Sequence, residues 1–179
     1  MTRTLILMRH AKAVPGHDLP TDAERPLAPK GVAQATANGE LLVNAKLFPD
    51  VALVSPAVRT RQTWEYTVKK LHDLKPKRAL PVYRLEDSLY PASVADVLDL
   101  VRALDDSTQT VIVVGHEPTV SAAATHLASP DSNEAAFAQV RVGVPTATWA
   151  VLTAEVPWAE WGRDMAMLTE VTRPKNPQR

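Results

Sequence analysis

The sequence predicts an α/β fold: one domain built as a three-layer α/β/α sandwich around a mostly parallel central sheet. Three observations carry that prediction. The apolar runs Leu5 to Met8, Val51 to Val54 and Val111 to Val114 are short and unbroken, as strands covered on both faces are. Between them apolar residues recur at three- and four-residue steps, the signature of a helix with one buried stripe. Strand and helix then alternate through the first 128 residues, the order that winds a parallel sheet with helices on both sides.

The elements follow in order. Residues 4–9 read as a buried strand, and 31–46 as a helix carrying Val32, Ala35, Gly39 and Leu42 on one side. After the strand 51–54, Ser55 offers an N-cap and Pro56 a first helical position for a helix bearing Trp64, Val68 and Leu71. Residues 81–85 form a shorter strand. Ser93 and Asp96 have capping-box spacing ahead of a helix along Val94, Val97, Val101 and Leu104. A fourth strand covers 110–114, and Pro118 opens a helix along Val120, Ala123, Ala124 and Leu127. Beyond residue 128 the pattern changes, and 147–156 and 165–172 read as two further strands, antiparallel to each other. The domain is expected to occupy residues 1–172, with 173–179 a polar, proline-bearing tail that frays. The tryptophans at 149, 158 and 161 suit core packing, on this sheet or against a second subunit.

Composition narrows the function. Twenty basic and twenty acidic residues cancel, so no global field recruits nucleic acid, and any anion site must be local. No apolar run is long enough to span a membrane, and no signal-peptide pattern precedes the first strand. The chain has no cysteine, which removes disulfides, thiolate nucleophiles and thiolate metal ligands, and the cytoplasm is the expected compartment.

Chemistry concentrates at strand ends. Side chains just past the carboxyl ends of parallel strands face the crevice where α/β proteins bind ligands. Here the first strand ends in Arg9-His10 and the fourth in Gly115-His116. A histidine can act as nucleophile or proton carrier, and an arginine is a planar fork for phosphate. Arg59 and Arg61 both lie in the first turns after the second strand, near a helix N-terminus that favours an anion, and periodicity does not choose between them. The polar, proline-rich stretch 18–29 sits where a binding loop belongs.

Three segments, Leu-Met-Arg9-His10-Ala11, Ser55-x-x-x-Arg59-x-x-Gln62-Thr63 and Val-Gly115-His116-Glu-Pro118, resemble in order the signatures of the histidine phosphatase superfamily. Asp22-Ala-Glu-Arg25-Pro-Leu-Ala-Pro-Lys-Gly31, and Pro145-Thr146 ahead of an apolar strand, resemble its short SixA-like branch, whose members include phosphohistidine phosphatases. The resemblance runs from residue 4 to about 153. It implies a phosphoglycerate-mutase-like fold and a metal-independent phosphatase without a cofactor, acting through a phosphohistidine on His10. Arg9, Arg59 and His116 would complete the phosphate pocket. Arg59 is preferred over Arg61 because it fits the Arg-x-x-Gln-Thr pattern. Asp87 is the expected proton donor, with Glu86 next, and Arg25 is a second-tier binding residue. The implied substrate is phosphorylated, either protein phosphohistidine or a small phosphate ester.

The chain departs from the pattern at Ala11, where glycine is usual, and at Glu117, where the branch more often has asparagine. An inward carboxylate would repel phosphate, so Glu117 is expected to turn away or to orient a cationic part of the substrate. Two other readings compete: a metallohydrolase ligated by His10, His116 and Asp87 or Asp18, and a phosphate-binding module without turnover. The first is disfavoured because Arg9 and Arg59 would repel a divalent cation. Oligomeric state is left open.

Overall fold

The computed structural model describes residues 1–175. Its strands are β1 (Arg3–Arg9), β2 (Val51–Val54), β3 (Val82–Leu85), β4 (Thr110–Gly115), β5 (Trp149–Ala154) and β6 (Met167–Thr172). Its helices are α1 (Pro29–Asn44), α2 (Val58–Leu74), α3 (Val94–Arg102), α4 (Thr119–Leu127) and α5 (Glu134–Val142). One sheet carries all six strands in the order β3-β2-β4-β1-β5-β6. The first four strands in the chain are parallel, whereas β5 runs antiparallel to β1 and β6 antiparallel to β5.

Alternation along β1 sorts the core into two layers, because successive side chains point to opposite faces. Ile6 and Met8 pack with Leu42 of α1 and with Trp64 and Leu71 of α2. Leu5 and Leu7 pack on the other face with Val97 and Val101 of α3, Val120 and Leu127 of α4, and Val140 of α5. The three-layer sandwich is thus the observed architecture. At the crossing of α1 and α2 the backbones approach closely at Gly39: a Cβ there would stand 2.5 Å from the Thr67 carbonyl oxygen and 2.6 Å from Lys70 Cβ. Trp158 and Trp161 are fully buried with ring centroids 4.9 Å apart, and Trp158 Nε1 donates to the Thr108 carbonyl at 2.8 Å. The tryptophan-rich segment therefore belongs to the chain's own core.

Several boundaries differ from expectation. Helix α2 starts at Val58 with Ala57 as its N-cap, not at Pro56; the Ser55 hydroxyl lies 2.8 Å from His116 Nε2 and accepts from the Ala57 amide at 3.4 Å. The third helix stops at Arg102, short of Leu104. Strand β5 begins at Trp149, since Ala147 has a φ of 63°, outside the extended range. Helix α5 was not expected, because only two apolar residues of the helix, Ala136 and Val140, are buried. Its start is marked by Asn133, whose side chain accepts from the Ala136 amide at 2.9 Å. In the predicted tail, residues 173–175 carry no regular structure and 176–179 lie outside the described residues. Among the described residues no helix is long and apolar enough to cross a membrane.

Candidate active site

Register assembles the site. Arg9 of β1 pairs with Gly115 of β4, and Val54 of β2 pairs with Val114, so His10, Ser55 and His116 leave the same sheet edge side by side. The His10 amide donates to the Gly115 carbonyl at 3.0 Å, and its carbonyl accepts from the Ala147 amide at 2.9 Å. Asn38 secures that neighbour, donating to the Ala147 carbonyl at 2.8 Å and accepting from Trp149 Nε1 at 3.0 Å. The Thr63 hydroxyl accepts from the Ala11 amide at 2.9 Å and donates to the Arg59 carbonyl at 2.7 Å. One hydroxyl thus joins the residue after His10 to the helical turn that presents Arg59.

Hydrogen bonding fixes both imidazoles. His10 Nδ1 lies 2.8 Å from the Ala11 carbonyl oxygen, which can only accept, so Nδ1 carries the proton and Nε2 keeps its lone pair. His116 Nδ1 lies 3.3 Å from Arg59 Nη2, which can only donate, so His116 Nε2 holds the proton and gives it to Ser55 Oγ at 2.8 Å. The two ring centroids are 5.4 Å apart. Burial, reinforced by the charges of Arg59, Arg9 and Arg25, pushes His10 down to about 4 against the pull of the Ala11 carbonyl. Burial and then Arg59 push His116 down to about 3. Both rings are neutral at pH 7.

The arginines close around them. Arg9 Nη1 donates to the Val144 carbonyl at 2.9 Å, and its pKa is lowered chiefly by burial. Arg59 is buried and donates to the Asp22 carbonyl and carboxylate, each at 2.9 Å. The Nε groups of both arginines are buried and have no partner among the described residues. Asp22 also accepts from Arg25 Nη1 at 2.9 Å and from the Tyr90 hydroxyl at 2.7 Å. Tyr90, Arg25 and Arg59, in that order, hold its carboxyl well below the usual carboxylate range. The same bond raises the Tyr90 phenol. An opening of about 240 Å³ runs past Arg59, Tyr90, His116 and Thr119.

His10, Arg9, Arg59 and His116 are therefore brought together. Arg25 joins them through Asp22, so its loop ion pair and its place beside the site coexist. Asp87 and Glu86 do not join the cluster: among the described residues neither carboxylate makes a hydrogen bond or an ion pair. Asp87 is exposed at the start of a 3-10 turn, and only its carbonyl is engaged, by the Tyr90 amide. Arg61 lies apart from the imidazoles, where its charge acts on Tyr83. The Glu117 carboxylate is bound by the Ser121 amide at 2.8 Å, the Ser121 hydroxyl at 2.6 Å and the Val144 amide at 3.1 Å. No three His, Asp or Glu side chains form a set able to hold a metal ion among the described residues.

Sequence reasoning missed Asp22, Ser55 and Tyr90 as members of this network. Asp22 stands in a segment quoted above, but its bond to Arg59 joins residues 37 positions apart, which no local pattern signals.

Comparison with known proteins agrees with this geometry. Residues 5–81 match the model of the histidine phosphatase superfamily, branch 1. An uncharacterized protein of Mycobacterium tuberculosis is 37% identical over 155 residues, covering 86% of this chain and 90% of its own. A candidate phosphohistidine phosphatase SixA from Nakamurella multipartitia has a structure with a TM-score of 0.81 and 34% identity, covering 97% of each chain. A tungstate complex of the protein histidine phosphatase SixA shares the fold, with a TM-score of 0.75, 21% identity and coverage of 96% and 97%. The chain belongs to the histidine phosphatase superfamily, on its SixA-like branch, and is a phosphatase of the hydrolase class.

Proposed function

We propose that this protein hydrolyses protein phosphohistidine, without a metal ion, through a phosphoryl intermediate on His10. The observation that carries the reading is the state of that ring: neutral at pH 7, with its proton held on Nδ1 by the Ala11 carbonyl and the Nε2 lone pair free. Nε2 attacks phosphorus as the bond from phosphorus to the substrate's ring nitrogen breaks; the substrate ring, protonated on its other nitrogen, keeps the electron pair and leaves as neutral imidazole. The His10 imidazole becomes cationic as it bonds to phosphorus, and the Ala11 carbonyl steadies the Nδ1 proton throughout. Arg9 and Arg59 stabilise the equatorial oxygens, with their buried Nε donors unpartnered in the protein alone. Water then displaces His10 from phosphorus and inorganic phosphate leaves.

The substrate class rests on the leaving group. A phosphohistidine ring already protonated on its other nitrogen departs as neutral imidazole and needs no acid at the departing atom. An alkyl phosphate needs a strong proton donor, and the carboxylates proposed for that role, Asp87 and Glu86, lie outside the hydrogen-bonded cluster. The SixA name carried by the Nakamurella multipartitia structure supports the same class. The cytoplasm is proposed on the absence of cysteine alone.

Rapid-quench labelling tests the reading. With labelled phosphoramidate and EDTA present, acid-labile, base-stable label is expected on His10. In His10→Ala the label is lost and turnover falls by about 10⁴-fold or more. Label that persists in His10→Ala, or turnover that depends on added metal, would overturn it.

A further inference from the structure

A groove of about 560 Å³ starts where the opening beside His116 ends, and the two hollows share Glu117 and Pro118 as a common wall. Val94, Val140 and Val142 give it an apolar side; Val140 is buried in the core and Val142 is 87% exposed. Its rim is cationic. Arg141, in the last turn of α5, and Arg163, in the segment before β6, both line it, as does His126 of α4. Neither arginine has an ion pair or a side-chain hydrogen bond among the described residues, although Arg141 lies 5.9 Å from the Phe137 ring. Glu117 is the one carboxylate on the lining, and Ser121 and Val144 already bind it. The nearby acids Glu134 and Asp164 line a different hollow.

Resting on the phosphatase reading above, we propose that this groove seats the polypeptide flanking the phosphorylated residue, and that it selects acidic side chains there. Two guanidiniums unpaired in a chain of zero net charge form a local positive field, which attracts Asp and Glu. The exposed apolar side chain of Val142 beside them suits a strand of mixed side chains better than a compact second phosphate, which would leave Val142 uncovered. Continuity through Glu117 and Pro118 joins the groove to the opening past Arg59 and His116. A phosphorylated side chain therefore enters that opening while its neighbours lie along α5.

The test separates the groove from the chemistry. Binding of fluorescein-labelled peptides bearing a non-hydrolysable phosphonate is measured by anisotropy, with either Asp/Glu or Ser/Gln flanks. Turnover of an aryl phosphate, which is too small to reach the groove, is measured in parallel. In Arg141→Ser/Arg163→Ser the acidic peptide is expected to bind roughly three- to tenfold more weakly, while the neutral peptide and aryl phosphate turnover change by less than about twofold. Arg141→Glu is expected to invert the preference toward Lys/Arg flanks. Equal binding of the two peptides to wild type, or an equal loss of both in the variants, would overturn the proposal. So would inorganic phosphate that abolishes the acidic preference without inhibiting aryl phosphate turnover, since the groove would then hold a free anion. Absence of phosphoramidate turnover in wild type would refute the phosphatase reading while the peptide comparison still decides the groove.

Discussion

At the scale of single residues, the site turns on which charges are neutralised before an anion arrives. Arg59 is held by Asp22 and shared with His116, whereas Arg61 touches neither imidazole. Arg59→Ala removes charge-assisted hydrogen bonds worth roughly 1.5–3 kcal/mol, so vanadate inhibition should weaken by about tenfold to a hundredfold. Arg61→Ala should shift it by less than about twofold; equal shifts would remove the reason for choosing Arg59. Asp22 acts in the opposite sense, because its carboxylate stands among the cations that phosphate needs. Asp22→Asn keeps an acceptor for Arg59 but loses the charge, and vanadate should bind about fivefold more tightly. Weaker binding would mean that Asp22 chiefly positions Arg59. The nucleophile makes a further prediction. Since His10 is pushed down to about 4, the acid limb of kcat/KM, corrected for substrate ionisation, should fall near that pH and not near 6.5.

At the scale of elements, the sequence was readable wherever one local rule governed. Strands β1, β2 and β4 were legible because both their faces are buried, so each reads as an unbroken apolar run. Helix α3 was legible from its capping box, which the structure contains. What failed was long-range: the Ser55 hydroxyl, read only as an N-cap, also meets His116, 61 residues away. Helix α5 escaped because a mostly exposed helix lacks a strong apolar stripe. Glu117 shows how a departure from a family pattern can be structural. Its carboxylate caps the start of α4 through Ser121 and holds the Val144 amide, while the Val144 carbonyl holds Arg9. Glu117→Ala should cost about 1 kcal/mol and lower Tm by roughly 2–4 °C. Packing of α1 on α2 is equally specific. Gly39→Ala forces a methyl against backbone and should cost about 1–3 kcal/mol, measured by urea unfolding.

For the whole molecule, the buried imidazoles couple function to stability. Folding holds His10 at about 4 and His116 at about 3, while both return to an ordinary value near 6.5 in the unfolded chain. Between those values the unfolded state binds more protons, so stability is full above about pH 6.5 and falls as the pH drops toward 4 and 3. The urea midpoint should therefore be lower at pH 4.5 than at pH 7 with an unchanged m-value, and His116→Asn should reduce the difference. The parts of the site also differ in how firmly the chain grips them. Strand β1, which ends at Arg9 just before His10, is hydrogen-bonded on both sides from Thr4 to Met8, whereas Asp22 and Arg25 belong to a single 3-10 turn outside the sheet. Amides of β1 should exchange with solvent deuterium only on global unfolding, while those of residues 16–25 exchange through local opening. A proposed nucleophile held at the end of the doubly bonded strand, with its electrostatic counterweight in a segment outside the sheet, lets variation in that segment retune the site without endangering the fold.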